Sequence, residues 1–107
     1  MAKAKDATFT VEVEGESVEV YPERARSWDA AMKMRDLTKA HRRFQALPEG
    51  PERNELGLDI FADMLEFVLL ATDLDEERVR AHCGEAASVE TVIGFVSKVM
   101  GEATGKN

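Results

Sequence analysis

The sequence is poor in the residues that build covalent or metal-based sites. It has one cysteine and two histidines among 107 residues. One cysteine excludes an internal disulfide, and a structural zinc site needs about four ligands. The neighbours His82 and Cys83 do not make a catalytic pair, because adjacent residues of a helix point about 100° apart. We therefore expect a packed thiol beside a surface histidine, no metal, no cofactor, and a reducing cytoplasm as the compartment.

Long apolar runs and phosphate-binding loops are missing as well. Asp59, Asp63 and Glu66 interrupt the most apolar segment, so no run reaches the ~20 residues that a membrane span needs. The first ten residues lack the apolar stretch of a secretory signal. The glycines form neither a P-loop nor an EF-hand pattern. An acid/base site would require a desolvated carboxylate, and nothing in the sequence indicates one. These absences favour a non-enzymatic protein that does not bind membranes.

Charge is abundant but unevenly distributed. The net charge of −7 at pH 7 disfavours nucleic acid as a partner. Basic residues predominate in residues 23–46 and acidic residues in 49–80. Either the two segments pack together and the charged residues at their edges attract each other, or one of the segments faces a partner of opposite charge. The basic run His41-Arg42-Arg43 could contact phosphate, although we expect it to be a solvated helix end.

The hydrophobic period changes at Pro22. Before it, apolar and polar residues alternate on both sides of Gly15, which predicts strands over residues 8–13 and 17–21. After it, apolar residues recur at helical spacing. The fold class is therefore α+β and mostly α, with an N-terminal β-hairpin followed by a bundle of about four helices. An isolated hairpin is marginal in water, so the helices or the hairpin of a second copy must cover its apolar face.

Capping residues place the four helices. Ser27 and Ser88 are predicted N-caps, and Asp73 with Glu76 has the spacing of a capping box. The predicted helices cover residues 27–46, 52–71, 74–83 and 89–101. The inward face of the last helix is predicted to hold Val89, Val92, Ile93, Val96, Val99 and Met100. We expect residues 1–7 to be a flexible leader, 8–101 a single domain (hairpin 8–21, helical body 27–101) and 102–107 a flexible tail.

The second predicted helix is apolar over more than half of its circumference. An ordinary surface helix shows an apolar stripe somewhat above ~100° wide. This helix therefore lies centrally in the domain, or part of it contacts a second copy or a partner. Methionines adapt to irregular surfaces, which favours a surface that repacks against another chain. The predicted contact residues are Trp28, Met32, Phe61, Met64, Leu65, Val68 and Leu69.

The layout resembles the tail assembly chaperones of long-tailed bacteriophages. The resemblance is carried by the short ribbon at residues 9–21 on an acidic chain, by Trp28 after the Tyr21-Pro22 exit, and by the helical remainder. It implies a chaperone that binds the tape measure protein, keeps it soluble and recruits tail tube subunits. Such a protein would act in the host cytoplasm as a homo-oligomer and leave the finished particle.

A frameshift is a further implication of the resemblance. Such chaperones are often made in two lengths by a ribosomal frameshift near the end of the shorter form. The codons of Gly105-Lys106-Asn107 can spell a slippery heptamer. No functional residue is carried over from the family, because it offers no sharp motif.

Two other classes of protein stay open. A small acidic bacterial adaptor or antitoxin-like interaction module would share the acidic surface and an apolar groove. A small enzyme, or a subunit of one, is the third class. A long gene for a helical tape measure protein immediately downstream would favour the chaperone over the adaptor.

The wide apolar arc of the second helix predicts concentration-dependent association. Burying that surface between copies removes apolar area from water, so the average mass should rise as the protein is concentrated. Multi-angle light scattering across a dilution series measures this mass directly. A strict monomer at high concentration, with the second helix fully enclosed, would contradict the prediction.

Overall fold

The computed structural model describes residues 8–105. Its class is α+β and mostly α, as predicted, with a two-stranded antiparallel sheet followed by helices. The predicted leader at residues 1–7 and the last two residues of the predicted tail lie outside the described part. The elements are β1 (Phe9–Val13), β2 (Glu16–Val20), α1 (Pro22–Ala25), α2 (Trp28–Ala46), α3 (Pro51–Ala71), α4 (Glu76–Cys83) and α5 (Val89–Gly105).

The predicted hairpin is confirmed, with β1 and β2 paired from Phe9 opposite Val20 to Val13 opposite Glu16. Glu14 and Gly15 connect the strands with φ of 53° and 84°. Positive φ at both positions is typical of a type I′ turn, whose twist matches that of the strands. Glycine adopts this conformation without cost, whereas Glu14 is held in it by its contacts.

The helices cover the apolar face of the hairpin. Its four inward valines are at most 8% exposed and belong to one core cluster with residues of α3, α4 and α5. This arrangement leaves no role for a second hairpin as the cover. The buried members of the cluster are Val11, Val13, Val18, Val20, Val68, Leu74, Val79, Phe95, Val96 and Val99.

The outer edge of β2 is bonded to the connection between α3 and α4. The Tyr21 N–H donates to the Ala71 carbonyl at 2.8 Å, and the Asp73 N–H donates to the Glu19 carbonyl at 3.0 Å. These bonds satisfy backbone groups that an edge strand would otherwise expose. They also fix the end of α3 against the hairpin.

The capping box predicted for Asp73 and Glu76 is wrong. The Asp75 side chain is the N-cap of α4 and accepts from the Arg78 N–H at 2.8 Å. The Asp73 carboxylate instead accepts from the Glu19 N–H at 3.0 Å and from the Arg78 guanidinium at 3.0 Å. The tertiary contact with β2 therefore takes the side chain away from the helix.

α3 lies centrally and packs against α1, α2 and α5. It is antiparallel to α2, since Ala30 packs near Ala71 and Lys33 pairs with Asp63 and Glu66. The central position accounts for much of its wide apolar arc. The Lys33 pairs also show that the basic and acidic segments pack together at this point.

Helix α5 differs from the prediction at both ends. It extends through Gly105, so residues 102–105 of the predicted flexible tail are helical, and Ala103 packs against the core. Val89 was predicted to face inward but is 47% exposed, because it lies in the first helical turn at the edge of the domain. Phe95, which was not predicted to be inward, is buried at 1% exposure.

Truncation of Phe67 should destabilise the fold by about 3–5 kcal/mol, because the ring is fully buried in a cluster with Ala30 of α2 and Ala71 of α3 and its removal leaves a cavity. Urea unfolding followed by circular dichroism measures the change for Phe67→Ala. Leu58→Ala on the same helix is the control. Its side chain is 53% exposed, so its effect should be within about 0.5 kcal/mol. Equal losses for the two variants would contradict this packing.

Candidate helix-binding groove

An open cavity of about 360 Å³ lies between α2, α3 and the C-terminal part of α5. We call it the α2–α3 groove. Ile60, Met64 and Met100 are its apolar residues on α3 and α5, and all three are half-buried. α2 contributes a mixed wall of Leu37, Thr38, His41 and Arg42. The groove is therefore apolar on the side of α3 and α5 and mixed on the side of α2.

Spacing along each helix explains how these side chains meet. Leu37 and His41 are four residues apart, as are Ile60 and Met64, so each pair lies on one face of its helix. Thr38 and Arg42 form the adjacent row on α2. The Thr38 hydroxyl donates to the Met34 carbonyl of its own helix at 2.9 Å, so this groove residue already has a partner for its hydroxyl within α2.

The loop end of the α2–α3 pair is fastened by close contacts between the two helices. Phe44 lies against Gly57, where an added Cβ would be 3.2 Å from the ring. The Arg53 guanidinium lies 4.4 Å from the centre of the Phe44 ring, and its Nε–H donates to the Phe44 carbonyl at 3.3 Å. These contacts hold the two groove walls at a fixed separation.

Met64 is the one predicted contact residue that lines the α2–α3 groove. Phe61 and Leu65 line a different cavity of about 280 Å³, together with residues of α4 and α5 that include Val79 and Val92. The sequence predicts that Phe61, Met64 and Leu65 belong to one contact surface. In the structure, Met64 lines the α2–α3 groove, whereas Phe61 and Leu65 line the second cavity.

The prediction that Val68 contacts a partner is wrong. Val68 has no exposed surface, because it lies under the hairpin in the core cluster. Leu69 and Met32 are half-buried. Trp28 is 80% exposed at the start of α2, an unusual exposure for a large apolar side chain. The predicted residues therefore do not form a single continuous site.

Most residues of the groove were absent from the predicted contact set. Leu37, His41 and Phe44 recur at helical spacing, which places them on one side of α2. His41 is exposed. Periodicity identifies the apolar face of a helix and does not show how much of it another element covers. The missed lining residues are Leu37, Thr38, His41, Arg42, Ile60 and Met100.

His82 and Cys83 pack against neighbouring side chains of the fold. The His82 side chain is half-buried, with 17% of its surface exposed, rather than fully in solvent. Its ring stacks on Phe95 with 4.2 Å between centroids, and its Nε2 lies 3.1 Å from a Glu14 oxygen. Burial raises the pKa of the Cys83 thiol, which lowers its reactivity at neutral pH. The thiol is packed, as expected.

Charged contacts hold the turn of the hairpin to α4 and α5. Glu14 accepts a hydrogen bond from the Lys98 ammonium at 2.8 Å in addition to its contact with His82. The Lys98 bond, and to a lesser degree the His82 bond, lower the pKa of the Glu14 carboxyl below its ordinary value. Glu16 pairs with Arg78 at 3.0 Å. These groups stabilise the position of the turn.

Comparison with known proteins adds no relative: no family model, curated protein or solved structure matches the chain. Across residues 8–105, no group of three or more His, Cys, Asp and Glu side chains is placed to hold a metal ion. None of the helices in that range combines the length and apolar character that crossing a membrane requires.

Glu14→Gln should reduce stability at neutral pH and make it less sensitive to acid. A lowered carboxyl pKa contributes stability above the ordinary value of 4.5, and that stability is lost as the pH falls through the value in the folded protein. Urea midpoints measured from neutral to acidic pH should therefore converge for the two proteins at low pH. Glu49→Gln in the loop before α3 is the control. A constant difference across the pH range would contradict the role of the Glu14 charge.

Proposed function

We propose that the protein is a non-enzymatic assembly chaperone that shelters an apolar-sided helix of another protein in the α2–α3 groove. The observation that carries this proposal is the open groove with an apolar floor at Ile60, Met64 and Met100. Helix-in-groove recognition uses such a floor, with partner side chains inserted at positions i, i+3 or i+4 and i+7.

The groove lining covers residues 37–42 of α2 and 60–64 of α3, so it is roughly 6–8 Å long at 1.5 Å per residue. A partner helix lying along it contacts the groove over roughly one to two turns. Two methionines at the floor, Met64 and Met100, can adjust their side chains to different partner residues, which suits a chaperone for a long and varied helix.

Bacteriophage tail assembly is the specific setting of the proposal. The partner is then a helical segment of the tape measure protein, and the complex recruits tail tube subunits in the host cytoplasm. The resemblance of the hairpin and helical layout supports this assignment. Coating one long helix requires several copies of the chaperone, and the exposed Trp28 and Leu58 are candidate self-association residues.

Ile60→Glu should reduce copurification of the tape measure protein at least about tenfold, because a partner helix would bury the added charge without a counter-ion. The experiment is coexpression with the product of the gene immediately downstream, which the proposal identifies as the tape measure protein, followed by affinity capture and quantification of both chains. Ala62→Glu is the matched control, since Ala62 is exposed on the same helix. Circular dichroism verifies that both variants fold.

Two outcomes of this experiment would contradict the proposal. One is the absence of any complex between the unmodified protein and the tape measure protein. The other is equal recovery with Ile60→Glu and Ala62→Glu, which would place the contact away from the groove.

A further inference from the structure

The α2 wall of the α2–α3 groove carries positive charge at Arg42, and no described residue that lines the groove carries a compensating carboxylate. We infer that the groove selects a partner helix whose apolar stripe is flanked by acidic residues on the side that faces α2. This inference rests on the proposed function and adds the charge class of the partner to it.

Three basic residues lie on the exposed side of α2 that borders the groove wall. Arg35, Lys39 and Arg42 have the spacing i, i+4 and i+7, so they lie along one face of the helix. All three are exposed; Arg42 lines the groove, whereas Arg35 and Lys39 lie outside its lining. We call these three residues the basic rim. Arg42 is the direct contact for side chains that flank the apolar stripe of a bound helix, and Arg35 and Lys39 add positive charge behind it.

The basic rim has little internal compensation. Arg35 pairs with its neighbour Asp36 at 3.2 Å. Within residues 8–105, Lys39 and Arg42 form no ion pair. Of the described residues that line the groove, none carries a carboxylate. Like charges at this spacing also repel within the helix, so an external acidic group relieves an unfavourable interaction.

The acidic residues Asp63 and Glu66 of α3 form ion pairs with the other flank of α2. Lys33 pairs with Asp63 at 3.8 Å and also contacts Glu66. Projected at 100° per residue, Lys33 and Arg42 lie on opposite sides of Leu37. The flank of α2 that bears Lys33 is therefore neutralised within the molecule, while the groove flank remains positive. This asymmetry also gives a bound helix a preferred orientation.

An acidic helix fits the whole site better than a nucleic acid does. A nucleic acid would use the basic rim but would leave the apolar floor at Ile60 and Met64 without a partner. The net charge of −7 also opposes the approach of a polyanion. Acidic residues on a short helix contact the rim locally, within the screening distance of roughly 8–10 Å at physiological salt.

Two labelled synthetic peptides test the inference. Both have the same apolar stripe at i, i+3, i+4 and i+7, and one has Glu at the flanking positions where the other has Lys. Fluorescence anisotropy with the full chain should show that the Glu peptide binds about tenfold tighter at low ionic strength, since each exposed pair contributes only a few-fold. The difference should shrink as salt is added.

Charge reversal identifies the residues responsible. Lys39→Glu combined with Arg42→Glu should reverse the preference between the two peptides. The matched control is Arg26→Glu combined with Arg80→Glu. It makes the same change in net charge at two exposed bases that are outside the groove lining and form no ion pair within the described range. This control should retain the preference of the unmodified protein.

The possible failures separate the inference from the proposed function. Equal affinity for the two peptides, with both lost in Ile60→Glu, overturns the acidic preference and leaves the helix-binding function standing. Tighter binding of the Lys peptide has the same consequence. Absence of binding by either peptide, together with no tape measure complex, overturns both. Displacement of the Glu peptide by a short single-stranded oligonucleotide at lower concentration overturns the inference in favour of nucleic acid.

Discussion

Burial of the hairpin against α3 and α5 is the constraint on which the rest of the structure depends. Four valines provide the apolar face, and backbone bonds from β2 to Ala71 and Asp73 fix its edge. A two-stranded sheet has little stability alone, so its burial couples the start of the chain to the last helix. Val68 and Ala71 in the C-terminal half of α3 are thereby buried. The N-terminal half of α3 contacts α2, where Gly57 lies against Phe44.

This division of α3 accounts for the groove. Near the hairpin, the core is completed by buried side chains from several elements, including Phe67 and Phe95. Toward the loop of residues 47–50, Phe44, Gly57 and Arg53 hold α2 and α3 together by local contacts. Between these two regions Ile60 and Met64 stay half-buried. The groove is thus a consequence of two long helices that extend past a small core, and the molecule is elongated at 52 × 30 × 19 Å.

The same geometry explains how the basic residues of α2 and the acidic residues of α3 are arranged. The excess of basic residues on α2 and acidic residues on α3 allowed either internal pairing or recognition of a partner. Lys33 pairs internally with Asp63 and Glu66, whereas Lys39 and Arg42 form no ion pair within the described residues. Internal pairing therefore accounts for the Lys33 flank of the helix, and recognition of a partner by the other flank is the proposal made above. Such an arrangement would give the proposed chaperone orientation and selectivity, since its apolar floor alone discriminates poorly between partners.

Local periodicity and capping were enough to establish the hairpin, the long helices and the Ser27 cap, because these depend on neighbours within a few residues along the chain. The Ser27 oxygen accepts from the Ala30 N–H at 3.2 Å, as its position before the helix predicts. Tertiary packing decided the rest. It moved Asp73 from a helix cap to the β2 edge, stacked His82 on Phe95, and buried Val68 while leaving Trp28 exposed. A hydrophobic pattern predicts which face of a helix is removed from water. The residues that cover that face are distant in sequence, so only the tertiary packing determines where a groove remains.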